Sequence, residues 1–302
     1  LFYRGAKWRR FNFLLLSLFS LCLIVVSINP ASVNFARDLL ALEHYQYGRL
    51  IALLILSTIA LLFLSLYLKA RLETLRSQFD VLVRNLGVHQ ADRKKVIHEF
   101  SRPVTVLIPA FNEAENLVEL LPQIPEQIGP LAIGVLVVDD GSSDETCSVV
   151  RELGFSVVSN FTNRGGGAAL RLGYDLLKKT DTRICVTLDA DGQHDPKEIE
   201  KLLTPLISEG CDFVIGSRIL GENLQASLLR RAGVRFFGLM ISLLLGEKIT
   251  DPSSGFRAFK MEAVSDIGLR EDQYHTSELI IGAIKRGMAI KEVPITIRNR
   301  MH

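Results

Sequence analysis

A chain of 302 residues, 48% of them hydrophobic, has room for one catalytic-size domain and a smaller companion. Its net charge of +2, with no basic patch interleaved with aromatics, gives no footing for a nucleic-acid partner. The mean hydropathy is positive, high for a purely soluble protein, and the apolar excess is concentrated near the N-terminus.

Two stretches free of charged residues come first: FNFLLLSLFSLCLIVVSI at 11–28 and LIALLILSTIALLFLSLYL at 50–68. Each reaches about 30 Å as a helix, which predicts a transmembrane hairpin over 1–68. No small-residue cleavage site follows the first, and a second span comes after it, so a signal peptide is disfavoured. Arg4, Lys7, Arg9 and Arg10 precede the pair, and Lys69, Arg71, Arg76 and Arg84 follow it. The loop between holds only Arg37 and Arg49 against Asp38 and Glu43. The positive-inside rule then puts both termini and everything downstream in the cytoplasm of a bacterial or archaeal cell, as a multi-pass membrane protein. Cys22, Cys147, Cys185 and Cys211 show neither paired nor metal-type spacing and are read as reduced.

Residues 69–90 continue as a helix in which Leu68, Leu72, Leu75, Phe79, Leu82 and Leu86 recur at alternating spacings of four and three. Such a heptad seam fits self-association into a homo-oligomer through 68–86, or packing on a neighbouring domain, equally well. The charged, aperiodic stretch ADRKKVIHEFSRP, 91–103, reads as a linker, with His89 and His98 solvated near it. From 104 to 302 short β-branched runs alternate with helical segments. VTVLIP, GVLVVDD, FSVVSN, RICVTLD and CDFVIGS are continuous apolar runs, as expected of strands buried on both faces of a mostly parallel sheet with flanking helices. The fold class is therefore α/β, with ligands expected beyond the carboxyl ends of the strands, where every polar cluster falls.

Those clusters are specific only together. IPAFNEAENL ends a strand at Pro109 and opens a helix at Asn112 and Glu113, and VVDDGSSDET places Asp139 and Asp140 before a turn that caps the next helix at Ser143 or Asp144. NRGGGAALRLGYDLL sets Gly165, Gly166 and Gly167 before a helix starting near Ala168, a loop that can offer backbone N–H groups to an anion. In DADGQHDP, Asp189 and Asp191 present hard oxygen ligands at a strand end, suited to Mg²⁺ or Mn²⁺ completed by substrate phosphates. Asp195, before Pro196, is an N-cap. His194 is read as a structural or polar contact rather than a ligand of a hard ion.

In this order, IPAFNEAENL, VVDDGSSDET, DADGQHDP, GSR and DPSSGFRAF resemble the family 2 glycosyltransferases of GT-A fold, most nearly the dolichyl- and polyprenyl-phosphate mannose and glucose synthases. The N-terminal segment resembles a small membrane family of unknown function. The resemblance covers Val104 onward. It implies that Pro109, Phe111, Glu113, Asp139, Asp140 and Asp189 bind the nucleotide sugar, and that Asp189, Asp191 and Gln193 hold Mg²⁺ or Mn²⁺ against its diphosphate. An acceptor phosphate needs cations, and Arg218, Arg230, Arg231 and Arg235 are the candidates, the last three heading an apolar segment, 228–245, that suits a membrane interface. The implied activity is inverting transfer of a hexose from a donor such as GDP-mannose or UDP-glucose to a polyprenyl phosphate, with Asp189 and Asp191 catalytic. A lipid monophosphate is already an anionic nucleophile. A hydroxyl acceptor, on a lipid or a glycan, would need a base, for which Asp251 is the candidate.

Two departures from the family pattern stand out. Relatives often carry Lys where this chain has Gly166, with Arg164 as a replacement cation, and they continue past EVPITIRNR where this chain stops at His302. With Leu1 in place of Met, that stop suggests a fragment truncated at the C-terminus. The Gln-x-x-Arg-Trp motif of processive polysaccharide synthases is missing, since Trp8 is the only tryptophan. From a different class, a degenerate transferase serving as a membrane scaffold is a rival that the intact Asp189, Asp191 and Gln193 oppose.

Overall fold

The computed structural model describes residues 21, 24, 25, 28–40, 42, 44, 46–93, 96–221, 233, 238–243, 246–264, 267, 269 and 275–299. Most of the expected first span at 11–28, the arginines 230, 231 and 235, and most of the apolar segment 228–245 lie outside these residues. The chain divides into two units, Leu1–Arg76 and Ser77–His302.

In the first unit a 3₁₀ turn, Pro30–Val33, leads into α1 (Asn34–Leu39). α2 then runs unbroken over Gly48–Arg93, with neither Gly nor Pro disrupting it from Arg49 to Leu86. Among the described residues it is the one helix long and apolar enough to cross a membrane. It contains the expected span at 50–68 and the heptad region, and it extends into what reads from sequence as the linker. The remainder of that stretch forms α3 (Val96–Phe100), so 91–103 is largely helical. The division into units falls within α2. Leu72, Leu75, Phe79, Leu82 and Leu86 of the seam are exposed, whereas Val83 and Ala91 are buried.

The second unit is built on one sheet. Its strands are β1 (Val104–Ala110), β2 (Gln127–Ile128), β3 (Leu131–Asp139), β4 (Ser156–Ser159), β5 (Ile184–Thr187), β6 (Phe213–Ser217), β7 (Arg257–Lys260) and β8 (Ile290–Pro294). The helices between them are α4 (Ala114–Leu120), α5 (Thr146–Glu152), α6 (Gly166–Leu177), α7 (Ile199–Ser208), α8 (Met261–Val264) and α9 (His275–Lys285). The path is β2-β3-β1-β5-β7-β6-β8, with β4 also on β3. β4, β3, β1 and β5 are parallel, as are β6 and β8, but β7 lies antiparallel between β5 and β6, and β2 antiparallel on β3. The sheet is thus mixed rather than mostly parallel. β7 is inverted because the chain re-enters the sheet from the end at which β6 left it, with no crossover to the far side.

Alternation along β1 separates the two cores. Val104, Val106 and Ile108 pack with Leu117 and Leu120 of α4 and with Ile199, Leu202, Leu203 and Leu206 of α7, an i, i+3, i+4, i+7 stripe. Leu107, from the other face, packs with Leu136 and Val138 and with Leu172 and Leu176 of α6 and Ile280 of α9. Phe213 and Phe259 stack there at 5.4 Å, with Tyr174 edge-on to Phe259. Helices on both faces leave only the strand ends open, and that is where the polar residues gather.

Candidate functional site

β1, β3, β5 and β6 finish at one edge of the sheet, and the inverted β7 begins there, so the connections that follow β1, β3, β5 and β6 meet. The first two are stitched together. The Asn112 side chain accepts from Ser143 N at 2.9 Å, and Asn112 N donates to Ser142 Oγ at 2.9 Å. Asn112 has φ of 53°, a left-handed conformation that its short amide tolerates better than most side chains. Glu113 N donates to Thr146 Oγ1, and its carboxylate accepts from Asn116. Asp144 accepts from Thr146 N and Ala114 N just before α5, whose N-cap is Glu145 rather than the expected Ser143 or Asp144. Phe111 keeps its ring partly exposed, and Pro109 lines a small cavity with Asp189, Gly255 and Arg257.

The paired aspartates at the end of β3 are buried and committed inward. Asp139 accepts from Ser142 N at 3.0 Å and from Cys147 Sγ. Asp140 accepts from Asn160 Nδ2 at 2.8 Å and from the backbone N–H groups of Arg164 and Gly165 at 2.9 and 2.5 Å. Burial pushes the Asp140 carboxyl up, and those three donors work against it. The glycine loop therefore spends two of its N–H groups on Asp140. Gly165 bends at φ of 97° and α6 begins at Gly166, two residues earlier than the sequence indicates.

After β5 the geometry differs. The Asp189 side chain is 47% exposed, with His194 Nε2 3.5 Å from its Oδ2. A Cβ built on Gly255 would stand 2.3 Å from that same oxygen, so only glycine leaves the Asp189 carboxylate its room. Asp191 accepts from Gln193 N at 3.1 Å. Burial raises the Asp191 carboxyl above its ordinary range, and the negative charges of Asp189 and Glu113 add to the rise. His194 is buried, its ring 5.0 Å from that of Phe256, as expected of a structural contact. Asp195 caps the following turn by accepting from Lys197 N. Among the described residues no three His, Cys, Asp or Glu side chains stand together as a self-sufficient metal cage. Two carboxylates and an amide, partly open and with neighbouring negative charges that raise the Asp191 carboxyl, instead fit a hard divalent ion that keeps water or phosphate ligands.

Arg218 and Asp251, which the sequence assigns to an acceptor phosphate and to a base, are brought together. Arg218 Nε and Nη2 each donate to one Asp251 oxygen at 2.7 Å, and Arg218 N adds a third bond at 3.0 Å. Asp251 is fully buried; burial alone would raise its carboxyl, but the Arg218 guanidinium holds it below the usual range. That makes Asp251 a weak base with both oxygens engaged.

Several supporting residues escaped the sequence reading. Glu292 on β8 accepts from the backbone N–H groups of Thr250 and Asp251, fixing the loop before β7. Arg257 is buried, its guanidinium donating to the carbonyls of Ser254 at 2.6 Å and Pro252 at 2.9 Å, and burial lowers its pKa to about 10. Arg298 N donates to Gln193 O at 2.8 Å, Arg298 pairs with Asp195, and Glu198 accepts from Thr296 N, so the segment after β8 backs the DADGQHDP loop. A signal for Arg257 exists: it is a lone charge between Phe256 and the apolar pair Ala258 and Phe259.

Comparison with known proteins identifies the family. The model of glycosyl transferase family 2 matches residues 105–268. The chain is 39% identical over 197 residues to an uncharacterized protein of Methanocaldococcus jannaschii, covering 64% of this chain and 80% of that one. It is 31% identical over 214 residues to the UDP-N-acetylglucosamine–dolichyl-phosphate N-acetylglucosaminyltransferase of Methanococcus voltae, covering 64% and 84%. Identity to the polyprenol monophosphomannose synthase of Mycolicibacterium smegmatis is 32% over 207 residues, covering 65% and 77%. In fold the chain is like the glucosyl-3-phosphoglycerate synthase of Mycobacterium tuberculosis solved with Mn²⁺, UDP and glucosyl-3-phosphoglycerate, with a TM-score of 0.54 at 24% identity over 67% of this chain and 72% of that one. The mixed sheet with flanking helices is thus GT-A-like.

Proposed function

Because the chain belongs to glycosyl transferase family 2, we propose that it moves a hexose from a nucleotide diphosphate sugar to a polyprenyl phosphate at the cytoplasmic face of a membrane, with inversion. Asp189, Asp191 and Gln193 would hold Mg²⁺ or Mn²⁺, whose chemistry is to offset the charge that gathers on the departing nucleoside diphosphate. The rest falls to the chain. Pro109, Phe111 and Glu113 line the nucleotide side, with Asp139 and Asp140 shaping the loops behind them. The acceptor's phosphate oxygen forms its bond to the anomeric carbon as the bond to the diphosphate oxygen breaks, and no proton has to be removed from the attacking group. Alignment is then the main demand.

The observation that carries the choice of acceptor is the Asp251–Arg218 pair. A hydroxyl acceptor needs a base, and the carboxylate that the sequence offers for it has both oxygens on Arg218 and a lowered pKa. An anionic acceptor needs none, and Arg218, still partly exposed, can present its remaining edge to a phosphate. The activities of the dolichyl-phosphate and polyprenol relatives, as their names give them, point the same way, and α2 supplies a helix apolar enough to anchor the enzyme at the bilayer. Arg230, Arg231 and Arg235 complete the proposed acceptor site. The exposed seam of α2 supports a homo-oligomer through 68–86, which cross-linking of Leu75→Cys in membranes tests.

The decisive assay gives membranes carrying the protein a labelled GDP-mannose, UDP-glucose or UDP-N-acetylglucosamine with Mg²⁺ and undecaprenyl or dolichyl phosphate. Metal-dependent label in a lipid released by mild acid is the expected result. Acid-stable label would move the acceptor to a hydroxyl, and no transfer with any donor would leave the scaffold role.

A further inference from the structure

We propose that Asp80, on the part of α2 that belongs to the Ser77–His302 unit, is a positioning residue that holds the glycine loop against Asp140. Three guanidiniums converge on this one carboxylate. Arg164 Nη2, from the glycine loop, lies 2.6 Å from Asp80 Oδ1; Arg171 Nη2, from α6, lies 3.0 Å from the same oxygen; and Arg84 Nε lies 3.4 Å from Oδ2. The Arg164 and Arg171 side chains are only 9% and 3% exposed, so neither guanidinium has ready access to water as a substitute. Arg164 also stands 5.8 Å from the centroid of the Phe79 ring, a second hold from the same helix.

The packing beneath is close enough to transmit position. A Cβ on Gly87 would approach the Leu172 side chain of α6 to 3.0 Å, which means Leu172 packs directly on the α2 backbone there. Arg84 reaches Asp175 of α6 at 3.4 Å, and Val83 is buried. From Arg164 the connection continues through the main chain, because its own N–H and that of Gly165 are donors to Asp140. Asp80 thus fixes the side chain of the residue whose backbone fixes Asp140 at the end of β3. The cation of this loop, Arg164, is turned to α2. The helix that runs on from the apolar segment thereby becomes part of the donor end of the site. Removing the Asp80 charge leaves buried guanidiniums facing one another without their common counter-ion.

The test uses the full chain in membranes or nanodiscs, with Asp80→Asn, Asp80→Glu, Arg164→Gln and the Asp80→Asn/Arg164→Gln pair. Hydrogen exchange is followed in peptides covering 161–167 and, as a control, 199–208. Asp80→Asn is expected to speed exchange at 161–167 about tenfold while leaving 199–208 unchanged, to raise the donor KM about tenfold with kcat within about threefold, and to be largely rescued by Asp80→Glu. The double variant should be no worse than Arg164→Gln alone. Unchanged exchange at 161–167, an equal rise in both segments, or a fall confined to kcat would overturn the proposal. The kinetic arm rests on the donor-site reading above, but the exchange arm does not: a wild-type protein that transfers no sugar yet loses loop protection in Asp80→Asn would sink the function and leave the tether standing.

Discussion

Two pairs of aspartates end two neighbouring parts of the same sheet edge, and they are opposites. Asp139 and Asp140, after β3, are buried and surrounded by donors: Ser142 N, Cys147 Sγ, Asn160 Nδ2 and the N–H groups of Arg164 and Gly165. Asp189 and Asp191, after β5, stand where one side chain is half exposed and where burial and neighbouring carboxylates raise the pKa of the other. The first pair is met by several backbone and side-chain donors, whereas at the second burial and the neighbouring carboxylates work against the charge of Asp191. The difference lies in the supply of N–H groups and not in the aspartates themselves, so substitutions should separate stability from activity at the two places.

The largest effect is expected at the second pair. Asp191→Asn should lower kcat/KM by about 10²–10³-fold while leaving the thermal midpoint unchanged or slightly raised, because it relieves repulsion with Asp189 and Glu113. Transfer assays beside thermal unfolding in detergent measure both; a drop in stability to match the loss of activity would erase the contrast. Next comes Asp140→Ala, which strands Asn160 Nδ2 and two backbone N–H groups. It should cost about 3 kcal/mol, a fall of roughly 6–12 °C in thermal midpoint. A midpoint that does not move would mean that Asp140 is held for the donor and not for the loop.

How much of this was legible from sequence follows the same division. The five apolar runs became β1, β3, β4, β5 and β6, because strands buried on both faces need continuous apolar residues and leave that trace. β7 and β8 were missed: one begins with the buried Arg257 and the other carries Lys291 and Glu292, charges whose partners are distant in the chain. The placing of Asp189, Asp191, Asn112 and Asp140 at strand ends was readable, since each follows an apolar run directly. Their engagements were not. That Asp251 faces Arg218, that Glu292 holds the backbone before β7, and that Asp80 reaches Arg164 are contacts spanning tens of residues, fixed by topology. The leucines of the α2 seam are exposed, and the residues buried on α2 in the second unit include Val83 and Ala91, which lie off that seam.

A smaller effect probes the room left for Asp189. Gly255→Ala would place its methyl within 2.3 Å of Asp189 Oδ2 and force that carboxylate aside. Apparent Mg²⁺ or Mn²⁺ affinity in the transfer assay should weaken about tenfold, in the range typical of changes just behind a metal's ligands, with maximal rate at saturating metal nearly kept. Equal loss at every metal concentration would show that Gly255 matters for the loop and not for Asp189.

The smallest effect concerns a third arrangement, Asp251, whose charge is met by a cation instead of by N–H groups. Its carboxyl is held below the ordinary carboxylate range despite burial, because Arg218 bonds to it. A group depressed in the folded state contributes stability that is complete above its unfolded pKa and is lost as pH falls through the folded one, so the loss belongs below about pH 4. Over one pH unit a single carboxyl can contribute at most about 1.4 kcal/mol. Asp251→Asn should therefore lower the thermal midpoint at pH 7, where Arg218 loses its counter-charge, and the gap from wild type should narrow as pH is taken from 4 toward 3. Asp140→Ala, lacking any such cation, should show no narrowing in the same scan. If the Asp251 gap is as wide at pH 3 as at pH 7, the carboxylate is held by the shape of its pocket, and the charge pairing that makes it a poor base is not what fixes it there.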